Sequence, residues 1–360
     1  MVIEGDKKMK VLLVSPLPPP EGGIAVWTSK YKDYCDRKNI SLSIVNTGLL
    51  GSRSKNINNK RNYLDEIRRT IKIIIDLQQQ LKQNIPDVVH INSSCSYFGI
   101  YRDALCVRII KKYQIPIIFH CRCNVQDQLR KKTAIHLFRQ IVRDSSKVLV
   151  LNSASFDYVA NISKEKVLII PNFIDEDCLA DAFEIRDELK TLVFVGHVQK
   201  TKGFYEIAAV AEQLSGLEFL LIGPLAAEIR ENQYPTNIRF LGAKPNHEIR
   251  DYLRQADVFL FPSYTEGFSN ALVEAMAVGL PVITTNVGAN YDMIEEYGGI
   301  IVPVGDYKLV IDAINKMHPR SVRDGMSTWN REKVRREYLI DSVMCKLLSI
   351  YEQVCLDKVD

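Results

Sequence analysis

The sequence predicts an α/β chain of two doubly wound, parallel-sheet domains, on the strength of three observations. Its 360 residues exceed what one ordinary hydrophobic core organises and suit two domains. Short apolar runs alternate with helix-length segments along almost the whole chain, the pattern of β–α–β units around a buried parallel sheet. That alternation stops once, over the polar and acidic residues 171–190, and then begins again.

The first element, Lys10-Val-Leu-Leu-Val-Ser15, is a continuous apolar run with prolines and glycines just beyond it. A strand buried on both faces reads this way. Further strands are expected at 42–46, 87–92, 116–120, 147–151 and 167–170, separated by helices at 24–37, 62–83, 97–113, 131–144 and 153–162. A second series opens with Leu192-Val-Phe-Val-Gly196 and continues with strands at 218–222, 238–241, 258–261, 282–285 and 300–302. Val334, Tyr338, Leu339, Val343, Leu347, Leu348 and Tyr351 recur at helical spacing and predict one long closing helix. The expected division is a polar tail at 1–9, a first domain at 10–170, a linker at 171–190, a second domain at 191–330 and a closing helix at 331–360 that packs back on the first domain. No internal repeat is visible.

Composition narrows the class. Hydrophobic residues make up 46% and charged residues 25%, as in a soluble globular protein, and no apolar stretch is long enough to span a membrane. The N-terminus lacks the apolar core of a signal peptide, so the cytoplasm, including the inner face of its membrane, is the expected compartment. The eight cysteines are scattered and mostly sit inside apolar runs, as reduced structural thiols do. Cys121-Arg-Cys123 is too closely spaced for a CxxC pair, and no second cluster completes a metal site. Charge is divided unevenly. Residues 1–170 carry 28 Lys and Arg against 14 Asp and Glu, while the remainder carries 19 against 29. A basic first half suits an anionic partner: a membrane surface or a phosphorylated acceptor. Nucleic acid is not expected, because base-stacking and groove-reading elements are missing. Arg61 precedes, and Leu64, Ile67, Arg68, Arg69, Ile71, Lys72, Ile73, Ile74 and Ile75 lie on, one predicted helix that suits peripheral contact with an anionic membrane.

Chemistry concentrates in Glu266-Gly267-Phe268-Ser269-Asn270-Ala271-Leu272-Val273-Glu274, which runs into Ala-Met-Ala-Val-Gly279-Leu280-Pro281. A strand-like run ending at Pro262 precedes it and another starting at Val282 follows, so this is a strand–loop–helix–strand unit. Helix N-termini at the carboxyl ends of parallel strands receive anions through free N–H groups and the helix dipole. Ser269 or Asn270 suits the N-cap. Two carboxylates beside that point can accept hydrogen bonds from ligand hydroxyls. Phosphate with sugar hydroxyls is the chemistry of a sugar nucleotide.

The string resembles the two-glutamate motif of family-4 glycosyltransferases, which have the GT-B fold of two Rossmann-like domains facing a cleft. Four other places resemble that family. Pro18-Pro-Pro-Glu-Gly22-Gly23-Ile24 follows the first strand, and paired glycines let a backbone approach phosphate or acceptor closely. Its spacing is not GxGxxG, which counts against a nicotinamide dehydrogenase. Pro116-Ile-Ile-Phe-His120 ends a strand on a histidine; His90, closing Asp87-Val-Val-His90, reads as structural. Gly196-His197-Val-Gln-Lys200-Thr-Lys202-Gly203 resembles the family's phosphate clamp, with His197 standing where the family has arginine. Ile170-Pro171-Asn172-Phe173-Ile174-Asp175 resembles its interdomain junction, and Asp175-Glu-Asp177 reads as linker acid rather than a metal-binding DxD.

The resemblance implies a retaining transfer from a nucleoside-diphosphate sugar, UDP-linked before GDP-linked, to a saccharide or lipid-linked acceptor, with no metal cofactor. It implies catalytic roles for His120, Lys202 and Glu266. Donor contacts are implied for Gly22, Gly23, Gly196, His197, Lys202, Glu266, Gly267, Phe268, Ser269, Asn270, Ala271, Leu272 and Glu274, with Glu274 on the ribose. Surface-polysaccharide assembly is the implied setting. On sequence alone, a non-catalytic sugar-nucleotide binder and another GT-B enzyme, a phosphorylase or epimerase, stay open as alternatives.

Overall fold

The computed structural model describes residues 8–20, 22–49, 62–180 and 183–357. The chain divides into two compact units: one holds the chain up to Ile170 together with the residues from Cys345 onward, and the other holds Pro171–Met344.

Unit 1 carries β1 (Lys10–Ser15), β2 (Ser41–Asn46), β3 (Val88–Ser93), β4 (Ile117–Cys121), β5 (Lys147–Val150) and β6 (Val167–Ile169). They form a six-stranded sheet in the order β2-β1-β3-β4-β5-β6, and every pairing is parallel. Its helices are α1 (Gly23–Arg37), α2 (Tyr63–Gln83), α3 (Tyr97–Lys111), α4 (Val125–Gln128), α5 (Lys132–Asp144) and α6 (Ser153–Ser163). The strand order reverses direction at β1/β3, and loops at such a switch point open a crevice at the carboxyl ends of the strands. Burial explains why these strands read as unbroken apolar runs: β3 and β4 are buried at every position.

Unit 2 repeats the design with β7 (Thr191–Val195), β8 (Glu218–Ile222), β9 (Ile238–Gly242), β10 (Val258–Phe261), β11 (Val282–Thr285) and β12 (Gly299–Val302). The order is β12-β11-β10-β7-β8-β9, again parallel throughout. Around it lie α7 (Phe204–Gln213), α8 (Asn246–Gln255), α9 (Asn270–Val278), α10 (Asn290–Ile294), α11 (Tyr307–Lys316) and α12 (Arg320–Glu337), and α13 (Ile340–Leu356) follows.

Three details differ from the sequence reading. The closing helix is two helices, because the ladder breaks at Tyr338–Leu339, where Ile174 and Leu339 form a β-bridge and Ile174 N–H donates to Tyr338 C=O. The segment read as a linker is not loose chain: Ile174, Cys178 and Leu189 are buried in the core of unit 2. Helix α2 has two apolar sides. Ile73, Leu77 and Leu81 pack inward, whereas Tyr63, Leu64, Ile67, Ile71 and Ile75 are more than half exposed. Arg69, read with the basic surface, turns inward and donates from Nε to Thr47 C=O at 2.9 Å. Arg61, of the same predicted surface, lies outside the described residues.

Candidate functional site

In unit 2 the loop after β10 leads into α9. Ser269 is its N-cap and accepts a hydrogen bond from Leu272 N–H at 3.3 Å. The Leu272 N–H is thus engaged, leaving Asn270 and Ala271 to present the amides of the first turn. The Asn270 side chain accepts from Asn172 Nδ2 at 3.1 Å, a contact that no local pattern announces. Gly279 closes the helix in the left-handed region, φ 106°, and its N–H reaches back to Ala275 and Met276. Glu274 is half-buried on the helix. Phe268 packs edge-on against Tyr338, with centroids 5.8 Å apart, and so belongs partly to the core.

Glu266 and Lys202 meet although 64 residues separate them: Lys202 Nζ lies 2.5 Å from Glu266 Oε1, and Ser263 Oγ donates to the same oxygen at 2.9 Å. Gly203 makes the meeting possible. Its φ is +79°, and a Cβ there would stand 2.1 Å from Pro262 C=O, so only glycine lets the turn carrying Lys202 lie against the end of β10. Gly267 C=O accepts from Ala289 N–H at 3.1 Å, anchoring the loop from the other side. Gly196 follows β7 and donates to Ile222 C=O at 2.9 Å, and His197 beside it is half-buried. Asp177 of the acidic triplet pairs with Arg250 at 2.6 Å. Among the described residues no group of three or more His, Cys, Asp or Glu is placed to hold a metal.

In unit 1, His120 is the penultimate residue of β4 and is wholly buried. Its ring stacks on His90 at 5.3 Å between centroids, and His120 Nδ1 and His90 Nε2 are 3.3 Å apart. Arg122 Nη1 lies 3.2 Å from His120 Nε2 while its guanidinium sits 4.2 Å over Trp27. Beyond His90, the Tyr351 hydroxyl bonds His90 Nδ1 and, at 3.2 Å, the Tyr31 hydroxyl. Burial and then the Arg122 charge push His90 down to about 3, and burial, Arg122 and His90 push His120 well below the usual range. Both rings are neutral at physiological pH. His90 is thus a member of the same chain of polar groups as His120, and Arg122, Trp27 and Tyr351 are members that sequence reasoning missed. Arg122 was two residues from a flagged histidine; Tyr351, 261 residues from His90, carried no signal.

Gly22 and Gly23 open α1, and a Cβ on either would meet nothing within 4 Å. Packing therefore does not demand glycine there. Both line a cavity of about 380 Å³ that also takes in Glu66, Arg69, Asn92 and Arg102. No described helix is long and apolar enough to cross a membrane.

Among solved structures, sucrose-phosphate synthase from Thermosynechococcus elongatus superposes with a TM-score of 0.77 over 96% of this chain and 99% of its own, at 15% identity. HepE of Anabaena, in complex with UDP, does so with a TM-score of 0.72 over 96% and 100%, at 14% identity. These likenesses define the class as GT-B. In sequence, the description Glycosyltransferase Family 4 matches residues 26–177 and Glycosyl transferases group 1 matches residues 176–320. The capsular polysaccharide biosynthesis glycosyltransferase CapM of Staphylococcus aureus is 24% identical over 356 residues, covering 89% of this chain and 91% of its own. The chain belongs to the family-4 glycosyltransferases and is an enzyme of that kind.

Proposed function

We propose that this enzyme transfers a hexosyl group, with retention, from a nucleoside-diphosphate sugar to a saccharide or lipid-linked acceptor in the assembly of a bacterial surface polysaccharide. UDP is the first nucleotide to test and GDP the second. The observation that carries the reading is the Lys202–Glu266 pair, 2.5 Å long, beside the open first turn of α9. Without ligand, Glu266 neutralises Lys202. With donor bound, the diphosphate takes over Lys202 and the Asn270 and Ala271 amides, which frees Glu266 to accept hydrogen bonds from sugar hydroxyls. Glu274 receives the ribose, and His197 lies near the phosphates.

Departure of the nucleoside diphosphate leaves an oxocarbenium-like sugar, and Lys202 with the α9 dipole stabilises the negative charge that develops on the leaving oxygen. The acceptor hydroxyl forms the new bond on the face the diphosphate leaves, and its proton passes to the departing phosphate oxygen. No metal is required in this scheme. His120 enters it as a neutral, buried ring that holds Arg122, and Arg122 in turn covers it. The UDP complex of HepE and the role named for CapM support the donor class and the setting. We also propose that α2 rests its exposed stripe on an anionic bilayer. Arg68 and Lys72 flank that stripe, and residues 50–61 add four cations and no acid.

Calorimetric titration of UDP, GDP and ADP without metal, against the wild type and Glu274→Ala, tests the donor site. One nucleotide should bind in the micromolar range and lose that binding in the variant. Binding by none, or equal binding to both proteins, overturns it.

A further inference from the structure

The Lys202–Glu266 pair joins two separate segments of unit 2: residues 199–206, which carry Lys202 into α7, and the loop 262–269, which carries Glu266 into α9. We propose that Tyr264 and Glu206 are a positioning pair that keeps these segments in register once a bound diphosphate has drawn Lys202 away from Glu266; this deepens the donor-site reading above and rests on it.

In the free protein the ion pair does not hold the segments alone. Tyr264 N–H donates to Thr201 C=O at 3.0 Å, and the Tyr264 hydroxyl donates to Glu206 Oε1 at 2.5 Å. Ser263 Oγ lies 3.3 Å from Thr201 C=O, but also 2.9 Å from Glu266 Oε1 and 3.3 Å from Thr265 C=O, and a hydroxyl has one proton for the three. Glu206 lies just beyond Lys202 in sequence and Tyr264 just before Glu266, so their bond ties the segments immediately outside the ion pair. Lys202 cannot serve Glu266 and the phosphates at once. Its link to the loop is lost when its placement matters most, as charge develops on the leaving oxygen. The Tyr264–Glu206 bond contains no group that the donor engages in this scheme, and it persists through that exchange.

Stability does not account for either residue. Glu206 is half-buried, its Oε1 receives the phenol, and its Oε2 is buried without any partner. A carboxylate oxygen in that state is costly, although the first turn of α7 offsets part of the cost through the helix dipole. Tyr264 stays 37% exposed, so its ring is not there to fill the core. What the two residues share is the bond. The hydrogen bond to Glu206 and then burial push Tyr264 above the ordinary phenol range, so the hydroxyl keeps its proton and remains a donor. The loop after β12 fits closely against that hydroxyl: a Cβ at Gly305 would stand 3.1 Å from Tyr264 Oη.

Hydrogen exchange of the full chain, read by mass spectrometry over residues 199–206 and 262–269, tests the pair without ligand. Lys202→Met reproduces the loss of the ion pair. Tyr264→Phe should speed exchange in both segments by at most about twofold when Lys202 is present, and by at least about fivefold in the Lys202→Met background. Glu206→Gln, which keeps an oxygen for the hydroxyl, should hold exchange in that background within about twofold. Calorimetry adds a readout that a merely structural role would not move: Tyr264→Phe should weaken UDP binding at least about fivefold with the melting temperature nearly unchanged. Equal effects of Tyr264→Phe in the two backgrounds, no effect in either, or equal damage by Glu206→Gln overturns the proposal. UDP binding that Tyr264→Phe leaves intact overturns it as well. If the wild type does not bind UDP, the donor reading fails there, and the exchange experiment still decides whether the pair holds the two segments.

Discussion

The two units share one architecture and differ in how their chemistry is built. In unit 2 the functional groups lie on one strand–loop–helix segment, from Ser263 to Glu274, joined by a single distant turn that brings Lys202. In unit 1 the cavity draws on the loop after β1, the loop after β2, α2 and the start of α3, while the histidine pair depends on a tyrosine from α13. Unit 2 holds its charge pair at the edge of the protein, with Lys202 24% and Glu266 9% exposed along the side chain. Unit 1 buries its histidines completely and keeps them neutral. A partly exposed ion pair can exchange partners when a ligand arrives, whereas a buried neutral network mainly holds shape. A local cluster can therefore be a switchable binding site, and a dispersed, buried one is first of all part of the fold.

The sharpest way to break this contrast is Lys202→Ala. Transfer from the sugar nucleotide should fall by about 10²–10³-fold, with the melting temperature nearly unchanged; a full-rate variant would remove the charge-stabilising role. Gly203→Ala should act on structure instead. A side chain at φ +79° and 2.1 Å from Pro262 C=O should cost about 2 kcal/mol or more by thermal denaturation, with loss of Lys202 placement. Unchanged stability would mean that the turn is not held as described.

The histidine pair should make stability depend on pH. His90 is depressed to about 3 in the fold against an unfolded value of about 6.5. Above the unfolded value both states are neutral and stability is full. As pH falls from there toward 3, the unfolded chain takes up protons that the folded chain refuses. Stability should then drop by on the order of 1 kcal/mol per pH unit for each buried histidine. Denaturant unfolding at pH 7 and pH 5 reads this difference, and His90→Gln should flatten it; an unaltered slope would show that other groups set it.

The smallest effect is expected on the surface of unit 1. Ile67→Gln with Ile71→Gln should weaken sedimentation with phosphatidylglycerol-containing vesicles by roughly threefold to tenfold, without changing turnover on a soluble acceptor. Equal vesicle binding by the variant would leave the exposed stripe of α2 without this role.

Read from the sequence alone, the parallel sheets, nearly every strand, and the Glu266–Glu274 segment were all legible. Each rests on a pattern confined to a few residues: apolar runs for strands buried on both faces, a Ser cap at a helix start, and Gly279 and Pro281 at its end. The capping of Leu272 N–H by Ser269 was implicit in the Ser cap, though not its consequence for the ligand. Tertiary structure alone decided that Arg69 turns inward, that Asn172 reaches Asn270, that His90 lies against His120 and bonds Tyr351, and that Ile174, Cys178 and Leu189 join a core. In each of these, partners tens to hundreds of residues apart meet because the sheet order and helix packing bring them together, and helical or strand periodicity carries no record of a partner outside its own segment.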